Sequence, residues 1–531
     1  MALETSFEAF YTYDEMVSFL NQAQADHPQR LSLQSLTTTP EGREVLLAEI
    51  TDPATGAAAD KPAYYVQAGL HAPEGAGTTA ALDVIRRLLY NPDCAELLKT
   101  VAFYVVPRVN PDGMEYALTT RGAIRSRIET DEHASGLVPR DMNGDGRILH
   151  MRWPDPAGPF REDDIDPRIM VKREPGDAGP FYCMVGEGEI RGYDGTHIGS
   201  ATRTVDMNRN YAASWKPIAV AGRYPFSEPE VRAVGEFTLA HPNIFAGVDF
   251  HCGTNAILRL TMNTDAELNQ GDLELTLTLG ALAEEVTGLP LVSLRDYGDA
   301  WRSRAVLPGN SNQWAYGRLG ISHYVVELGN GFNSAGITAK EYFQASARTR
   351  AVELMRRVLA CHDNHQSEIF VPWTPVDHPQ LGPVEVGGIL QGNAYYMVPR
   401  CMEAIIPRTT DFVLRHAGYH PRLILSTVET ESCSGDVYRI RATVANIGGL
   451  GTTVMQGGGG PGHRRPVQLR VDLPANARLL SRSDTVEIAS LPPAGGKGYA
   501  EWFVKAPAGT DVTVCAEHPR GGVTETSVRL N

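Results

Sequence analysis

The sequence predicts an α/β protein in which a mixed, largely parallel sheet carries helices on both faces and is followed by a C-terminal all-β sandwich. Up to about residue 370, short apolar runs typical of buried strands alternate with segments of helical periodicity. Several of these runs end on an ionisable residue, as in α/β sheets that bind ligands at the carboxyl ends of their strands. From about residue 421, short alternating strands are separated by turns instead.

The α/β pattern begins with a first helix, predicted over residues 14–25, and a strand over 45–50. The dense apolar run 63–69 is typical of a fully buried strand. After a short loop, residues 78–90 place apolar side chains at helical spacing. These residues therefore form a unit of strand, loop and helix.

The same unit recurs further along the chain. Strands are predicted over 101–106, 244–250 and 323–327, and a helix over 273–286. The segment 227–230, Ser-Glu-Pro-Glu, has the pattern of a capping box, which predicts the start of another helix there.

Composition divides the chain into three segments. Residues 1–370 form the α/β domain, which is interrupted at about 128–203 by an insertion rich in Gly, Pro and Asp. Closely spaced prolines predict a connecting segment over 371–420, and the β-sandwich is predicted over 421–531.

Charge and cysteine usage exclude several classes of partner. With 48 basic and 63 acidic residues, the chain has a formal charge of −15 and lacks the positive field that attracts nucleic acids and anionic membranes. The first residues show no basic segment followed by an apolar stretch, and no apolar run is long enough to span a bilayer, so we expect a soluble, cytoplasmic protein. Seven scattered cysteines without a Cys-x-x-Cys pair argue against a disulfide framework. The oligomeric state is not predicted.

One segment of the insertion resembles a calcium-binding loop. Asp141, Asn143 and Asp145 alternate as oxygen ligands would, and Gly146 takes the sixth position. The twelfth position is Arg152, where a bidentate glutamate would be needed. A Ca2+ ion is therefore one hypothesis, and a turn whose Asp and Asn side chains bond to their own backbone is the favoured one.

The residues that carry chemistry stand at three predicted strand ends. His71 and Glu74 lie in the loop after the first buried strand, and His251 and Glu327 close two later strands. Two imidazoles and one carboxylate are the three-ligand set of a catalytic zinc ion, whose fourth position stays open for water. The remaining glutamate would serve as a base.

Each of these residues alone has a simpler explanation. A histidine at a strand end is often a hydrogen-bonded packing residue, and Glu327 could be a solvated turn carboxylate. A second His-x-x-Glu pair, His365 and Glu368, lies in a polar stretch and shows how little the spacing means by itself. Together, however, several ionisable residues at the ends of apolar strands would be costly to bury without a shared partner.

In their order along the chain, the motifs resemble those of the M14 zinc carboxypeptidases over about residues 8–360. Each motif is modest, but the ordered set is specific. The matching features are Tyr11, Glu41-Gly42-Arg43, Gly69-x-His71-x-x-Glu74, Asn110-Pro111-Asp112-Gly113, Asp206-Met207-Asn208-Arg209-Asn210, Asp249-Phe250-His251, Trp314-Ala315-Tyr316 and Val325-Val326-Glu327-Leu328.

The resemblance implies a zinc carboxypeptidase-like fold, one Zn2+ per chain and a role for each matching residue. His71, Glu74 and His251 would be the zinc ligands. Asp206 would accept a hydrogen bond from His71 and so fix the orientation and tautomer of that ring. Glu327 would be the general base that activates the zinc-bound water.

The resemblance also implies how a substrate is held. Asn208 and Arg209 match the pair that grips the terminal carboxylate of a peptide, a task that suits a guanidinium fork. Arg125 best matches the arginine that polarises the scissile carbonyl. Arg121 and Arg127 compete with it for this role, and an exposed basic face is the alternative for all three.

Two positions depart from the family pattern. Counting back from Glu327, Ala305 takes the place where digestive members carry a mobile tyrosine, whose contact Tyr297 would then have to supply. Asn312 takes the place at the base of the specificity pocket. Because Asn312 is neither apolar nor charged, the preferred C-terminal residue of the substrate is not predicted.

The activity implied is that of a metallocarboxypeptidase, which hydrolyses the C-terminal peptide or peptide-like amide bond of a substrate with a free carboxylate. A deacylase of small N-acyl amino acids is an alternative, because its substrates present the same carboxylate. An inactive scaffold that binds chain ends and uses the β-sandwich as an interaction module is a third hypothesis. The presence of Glu327 favours the enzymes, because a protein that only binds would be expected to lose its base.

Overall fold

The fold is given by a computed structural model, which describes residues 3–253, 255–259, 264–293, 295, 307–338, 341, 348–390, 397–460 and 464–531. Across these residues, each helix is too short or too polar to span a bilayer. The helices are α1 Tyr13–Asp26, α2 Gly75–Tyr90, α3 Ala95–Thr100, α4 Pro111–Thr120, α5 Pro229–Ala240, α6 Gln270–Thr287, α7 Ser311–Trp314, α8 Gly331–Ser334, α9 Arg348–Asn364 and α10 Met402–Ala417.

The strands fall into a central sheet, an insertion sheet with two small ribbons, and a C-terminal pair of sheets. In chain order they are β1 Leu31–Thr38, β2 Glu44–Ile50, β3 Ala63–Ala68, β4 Ala102–Val106, β5 Arg127–Thr130, β6 Gly136–Pro139, β7 His150–Pro154, β8 Phe160–Glu162, β9 Met170–Lys172, β10 Tyr182–Gly186, β11 Gly188–Arg191, β12 Thr202–Val205, β13 Ile244–His251, β14 Ala256–Arg259, β15 Leu291–Ser293, β16 Ser322–Glu327, β17 Phe370–His378, β18 Gly382–Ile389, β19 Leu423–Ser434, β20 Val437–Asn446, β21 Val467–Asp472, β22 Arg478–Leu479, β23 Thr485–Ile488, β24 Gly496–Lys505, β25 Asp511–His518 and β26 Gly522–Arg529.

Eight strands form the central sheet, in the order β1-β2-β4-β3-β13-β16-β14-β15. The four middle strands, β4, β3, β13 and β16, run parallel to one another. On one side β2 is antiparallel to β4, and on the other side β14 is antiparallel to β16. The predicted mixed, largely parallel sheet is confirmed.

Helices cover both faces of this sheet because its middle strands are apolar on both sides. Every residue of β3, β13 and β16 is buried. On one face, α1, α2, α6 and α10 form a core that includes Phe19, Ile85 and Phe412. On the other face, α5 contributes Val231, which belongs to the same core as Trp314 of α7.

The capping box predicted at 227–230 is wrong. α5 begins at Pro229, and its N-cap residue Glu228 makes no capping hydrogen bond with its side chain. Proline suits the first helical position because its missing N–H would have had no partner there. The Glu230 side chain forms an ion pair with Arg127 instead.

The insertion forms a sheet with strands that are distant in sequence. Its strands β7, β10, β8 and β9 join β17 and β18 in a six-stranded sheet of order β17-β18-β7-β10-β8-β9. Residues 371–420, predicted to be a connection, therefore contain most of this strand pair together with α10. The segment boundaries at 370 and 420 stay a prediction.

The C-terminal residues form the predicted sandwich. One antiparallel sheet has the order β19-β20-β24-β22 and the other has the order β23-β21-β25-β26. Buried and more exposed residues alternate along β21 and β24, as expected when one face of each sheet points into a shared core. Trp502 is fully buried in this core, which also contains Ile440, Leu469 and Val514. The predicted all-β sandwich is confirmed.

Candidate metal centre

The three strand ends that carry the predicted ligands and the predicted base meet at one edge of the central sheet. β3, β13 and β16 are neighbours and run parallel, so their carboxyl ends lie side by side. The register places His251 directly beside Glu327. His71 follows β3, and Glu74 is the N-cap residue of α2.

The donor atoms of three of these side chains converge. Nδ1 of His71 lies 2.9 Å from Oε1 of Glu74, and Nδ1 of His251 lies 2.8 Å from Oε2 of the same carboxylate. The two Nδ1 atoms are 3.0 Å apart. All three side chains are buried. In the part of the chain that the structure describes, they are the one group of three or more side chains arranged to hold a metal ion.

The outer nitrogen of each ring contacts an aspartate. Nε2 of His71 lies 3.1 Å from Asp206, and Nε2 of His251 lies 3.0 Å from Asp249. With a cation between the two Nδ1 atoms and Glu74, each ring would donate its Nε2 proton to its aspartate and offer the Nδ1 lone pair to the cation. A cation is needed between such donors, and two imidazoles with one carboxylate suit zinc.

The electrostatics of the cluster favour charged groups despite their burial. Burial alone would raise the pKa of Glu74, but the two histidines outweigh it and hold that pKa well below the usual value. Burial opposes charging of His251, yet Asp249 and Glu74 raise its pKa well above the ordinary value. Burial would also raise the pKa of Asp206, but Arg209 and Arg125 outweigh it and hold that pKa well below the usual value. Without a cation, a proton on Nδ1 of His251 would bridge to Glu74. A bound metal ion would take the place of that proton and leave the ring neutral.

Glu327 differs from the other carboxylates at this edge. Burial raises its pKa to about 7, a shift that the charge of His251 opposes and that of Glu74 supports. A carboxylate with a pKa near neutrality can exchange a proton with water at physiological pH. This property suits a base better than a permanently ionised ligand.

Of the three candidate arginines, the structure places Arg125 beside the cluster. Its Nη1 donates to Oε1 of Glu74 at 3.1 Å, and its Nε lies 3.5 Å from Asp206. Arg127 pairs with Glu228 and Glu230 instead. Arg121 caps the C-terminus of α4 and lines a different cavity, with Phe10 and Leu118.

A short 3-10 turn brings the predicted substrate-binding pair to the same place. The turn Met207–Arg209 is capped by Asp206, whose carboxylate accepts the N–H of Asn208 at 2.8 Å. Nδ2 of Asn208 lies 3.5 Å from Nε2 of His251. Arg209 contacts the carbonyl of Asn208 and lies 3.8 Å from Asp206. One turn therefore presents an amide and a guanidinium next to the metal-binding cluster.

Asp249 is a site residue to which the sequence interpretation assigned no role. Its buried carboxylate accepts hydrogen bonds from His251, from the Ser311 hydroxyl at 2.5 Å and from the Gln67 amide at 2.8 Å. Residues two apart in a strand point to the same face, so the motif Asp249-Phe250-His251 contained the signal. Both histidines of the cluster are thus held by an aspartate.

The residue expected at the base of the specificity pocket is buried and engaged. Asn312 contacts Nδ1 of His323 at 3.2 Å and the backbone carbonyl of Arg259 at 3.4 Å. Both ends of its amide therefore have partners within the protein. Ala305 and Tyr297 lie outside the described residues.

The calcium hypothesis gains no support. Asp141 accepts the N–H groups of Asn143, Gly144 and Gly146, and Asn143 accepts that of Asp145. These bonds bind the loop to its own backbone, as the favoured alternative predicted.

The chain is similar to known proteins in two of its parts. A family model described as zinc carboxypeptidase matches residues 16–349, and a model of a domain of unknown function matches residues 422–529. Carboxypeptidase B of Astacus astacus is 29% identical over 333 residues, which are 60% of this chain and 86% of that protein. A zinc carboxypeptidase of Saccharothrix mutabilis subsp. capreolus is 28% identical over 144 residues, 26% of this chain and 32% of that protein. The crystal structure of carboxypeptidase A from Helicoverpa armigera has 17% identity and a TM-score of 0.41, covering 67% of this chain and 74% of that chain.

Replacing Asp249 by Asn is expected to weaken zinc binding by about 10- to 100-fold, because the amide no longer supplies the charge that holds the His251 tautomer. Competition with a chromophoric chelator measures the affinity. Asp163→Asn is the control, since Asp163 is a buried aspartate of the insertion that pairs with Arg356. Equal zinc affinity in Asp249→Asn and the wild type would exclude this role.

Proposed function

Since the chain belongs to the zinc carboxypeptidase family, we propose that it removes the C-terminal residue from a peptide, or from a peptide-like amide, that carries a free carboxylate. The observation that supports this most strongly is the convergence of His71, Glu74 and His251 beside Glu327 at one sheet edge. Metal-assisted hydrolysis requires a metal site and a separate carboxylate whose pKa lies near neutral pH, and this arrangement offers both.

His71, Glu74 and His251 would hold the zinc ion. When bound, zinc supplies a Lewis acid that polarises a carbonyl group and lowers the pKa of water towards about 7. Asp206 and Asp249 would orient the two ligating Nδ1 atoms. Each aspartate accepts a hydrogen bond from Nε2, on the opposite side of the histidine ring.

Glu327 would move the proton. As a carboxylate it takes a proton from the attacking water, and as a carboxylic acid it gives this proton to the leaving amine. Its pKa of about 7 makes both steps feasible near neutral pH.

Arg125, Asn208 and Arg209 would orient the substrate. A guanidinium binds a carboxylate through two parallel hydrogen bonds, so Arg209 with Asn208 is assigned to the terminal carboxylate. Arg125 is assigned to the scissile carbonyl, where a cation stabilises the negative charge that develops on oxygen. Its position beside Glu74 supports this assignment.

Substrate preference and turnover distinguish the carboxypeptidase from the two alternatives, a deacylase and an inactive scaffold. A deacylase would use the same carboxylate clamp but prefer small N-acyl amino acids to peptides. An inactive scaffold would bind chain ends without turnover, which the buried base Glu327 argues against. The cytoplasmic location expected from the sequence also stays a prediction.

Glu327→Gln is expected to lower kcat by at least about 100-fold, because the amide cannot accept the proton of the attacking water. Steady-state kinetics with a peptide, combined with metal analysis, measure the effect. The variant should retain zinc, since Glu327 is not a proposed ligand. Near wild-type turnover with zinc still bound would refute the role of Glu327 as the base.

The pH dependence follows from the same carboxylate. Only ionised Glu327 accepts a proton, so kcat/KM should fall as the pH drops through the pKa of about 7. A bound dication favours the ionised form of Glu327, so the fall in kcat/KM would then occur at a lower pH. A kcat/KM that rises on acidification below neutrality would contradict the assignment.

Peptides with free and amidated C-termini test the carboxylate clamp. We expect cleavage of the free form only, and Arg209→Lys should raise KM or lower kcat because lysine lacks the planar fork. Mass spectrometry of a panel of peptides and small N-acyl amino acids measures both the substrate preference and the activity. Arg203→Lys is a control, since the exposed Arg203 of β12 pairs with Glu129 of the neighbouring strand β5. Equal cleavage of free and amidated peptides would remove this role from Arg209.

A further inference from the structure

The segment 311–327 links two parts of the proposed active site. At its start, the Ser311 hydroxyl donates to Asp249, and the Ser311 N–H donates to Oδ1 of Asn208 at 2.8 Å. α7 then continues into the wider helical turns Ala315–Leu319 and ends at Gly320. β16 follows at once and carries Glu327 at its end. A shift of this helix would therefore displace both the support of His251 and the base.

The C-terminal sandwich caps the far end of this helix. Arg520, in the turn between β25 and β26, donates from Nη2 to the carbonyl of Leu319 at 2.6 Å and from Nη1 to that of Gly320 at 3.0 Å. The last carbonyls of a helix have no partner within the helix, and a cation is favourable beside them. Arg520 is only 4% exposed, so this contact is a buried one.

A glycine-rich loop of the sandwich reaches the same helix from a second side. The N–H of Gly459 donates to the carbonyl of Tyr316, and that of Gly460 to the carbonyl of Arg318, both at 2.8 Å. A Cβ atom at Gly458 would lie 2.6 Å from the Tyr316 carbonyl oxygen. Glycine is therefore required for the two backbones to approach this closely.

Asp272 of α6 fixes this loop in place. Its buried carboxylate accepts the N–H of Gln456 at 2.5 Å, the N–H of Gly457 at 2.7 Å and the hydroxyl of Tyr316 at 3.0 Å. Loop, helix and α6 are thus joined through one side chain.

Apolar residues before the loop belong to the core of the α/β domain. Leu450, Val454 and Met455 are buried in the same cluster as α2, α6 and α10. The sandwich is therefore continuous with the α/β domain and is not a module held only by a linker.

We propose that the C-terminal sandwich is a positioning element of the active site, which holds the helix 311–319 through Arg520 and the loop 456–460. For its catalytic consequence this inference rests on the proposed function, but the placement of the helix can be tested without a substrate.

Arg520→Met removes both donors while keeping an unbranched side chain. We expect it to lower kcat/KM for a peptide by about 10- to 100-fold, since small misplacements of catalytic groups have effects of that size. Amide hydrogen exchange should become faster in 311–327 and remain unchanged in β20 and β24. Arg529→Met is the matched control, because Arg529 pairs with Asp511 on the exposed surface of the same domain, and it should match the wild type in both measurements.

Asp272→Asn tests the contact made by the loop 456–460. It also replaces Arg520→Met in the test if that variant does not fold. It weakens the attachment of the loop 456–460, so it should change the same amides and kcat/KM in the same direction. Arg520→Lys should be intermediate, since it keeps the charge but not the two-pronged donation.

Wild-type kcat/KM and wild-type exchange in 311–327 for Arg520→Met and Asp272→Asn would overturn the inference. So would exchange that accelerates evenly over the whole chain while kcat/KM is unchanged in the folded variant, because the sandwich would then contribute to global stability only. If the wild-type protein hydrolyses no peptide, the proposed function fails, whereas the exchange comparison still decides whether the sandwich positions the helix.

Discussion

The site depends on three electron-pair donors that face one another in a buried space. The Nδ1 atoms of His71 and His251 and the carboxylate of Glu74 lie within hydrogen-bonding distance of each other. A hydrogen bond from Nε2 of each ring to an aspartate makes its Nδ1 a stronger electron-pair donor. Burying such a set without a positive charge between its members would be costly, and a metal ion would supply that charge.

The proposed ligands and the proposed base could be found in the sequence because each stands at or just after the end of an apolar strand. Such positions carry a local signal: an ionisable residue where burial is expected. Asp249 was part of a matching motif but received no role, because it lies inside a strand, two residues before a more obvious histidine. The strands β17 and β18 were interpreted as a connection because of their prolines, which β17 tolerates since it is at the edge of its sheet.

Contacts between distant segments carry no local signal at all. Arg520 meets the carbonyls of Leu319 and Gly320 across about two hundred residues of sequence. Nothing near Arg520 in the sequence distinguishes it from the exposed arginines of the sandwich. In the sequence, the glycines at 457–460 indicate only a turn. The backbone that they approach belongs to another part of the chain. The role of the sandwich is therefore a property of the tertiary structure.

X-ray absorption at the zinc edge of the zinc-loaded protein identifies the side chains that bind the metal. We expect one zinc ion per chain with two imidazole nitrogens and at least one oxygen at about 2.0–2.2 Å. In His251→Ala, one of the two imidazole contributions should disappear. Sulfur in the coordination shell, or a spectrum that is identical in His251→Ala and the wild type, would contradict this ligand set.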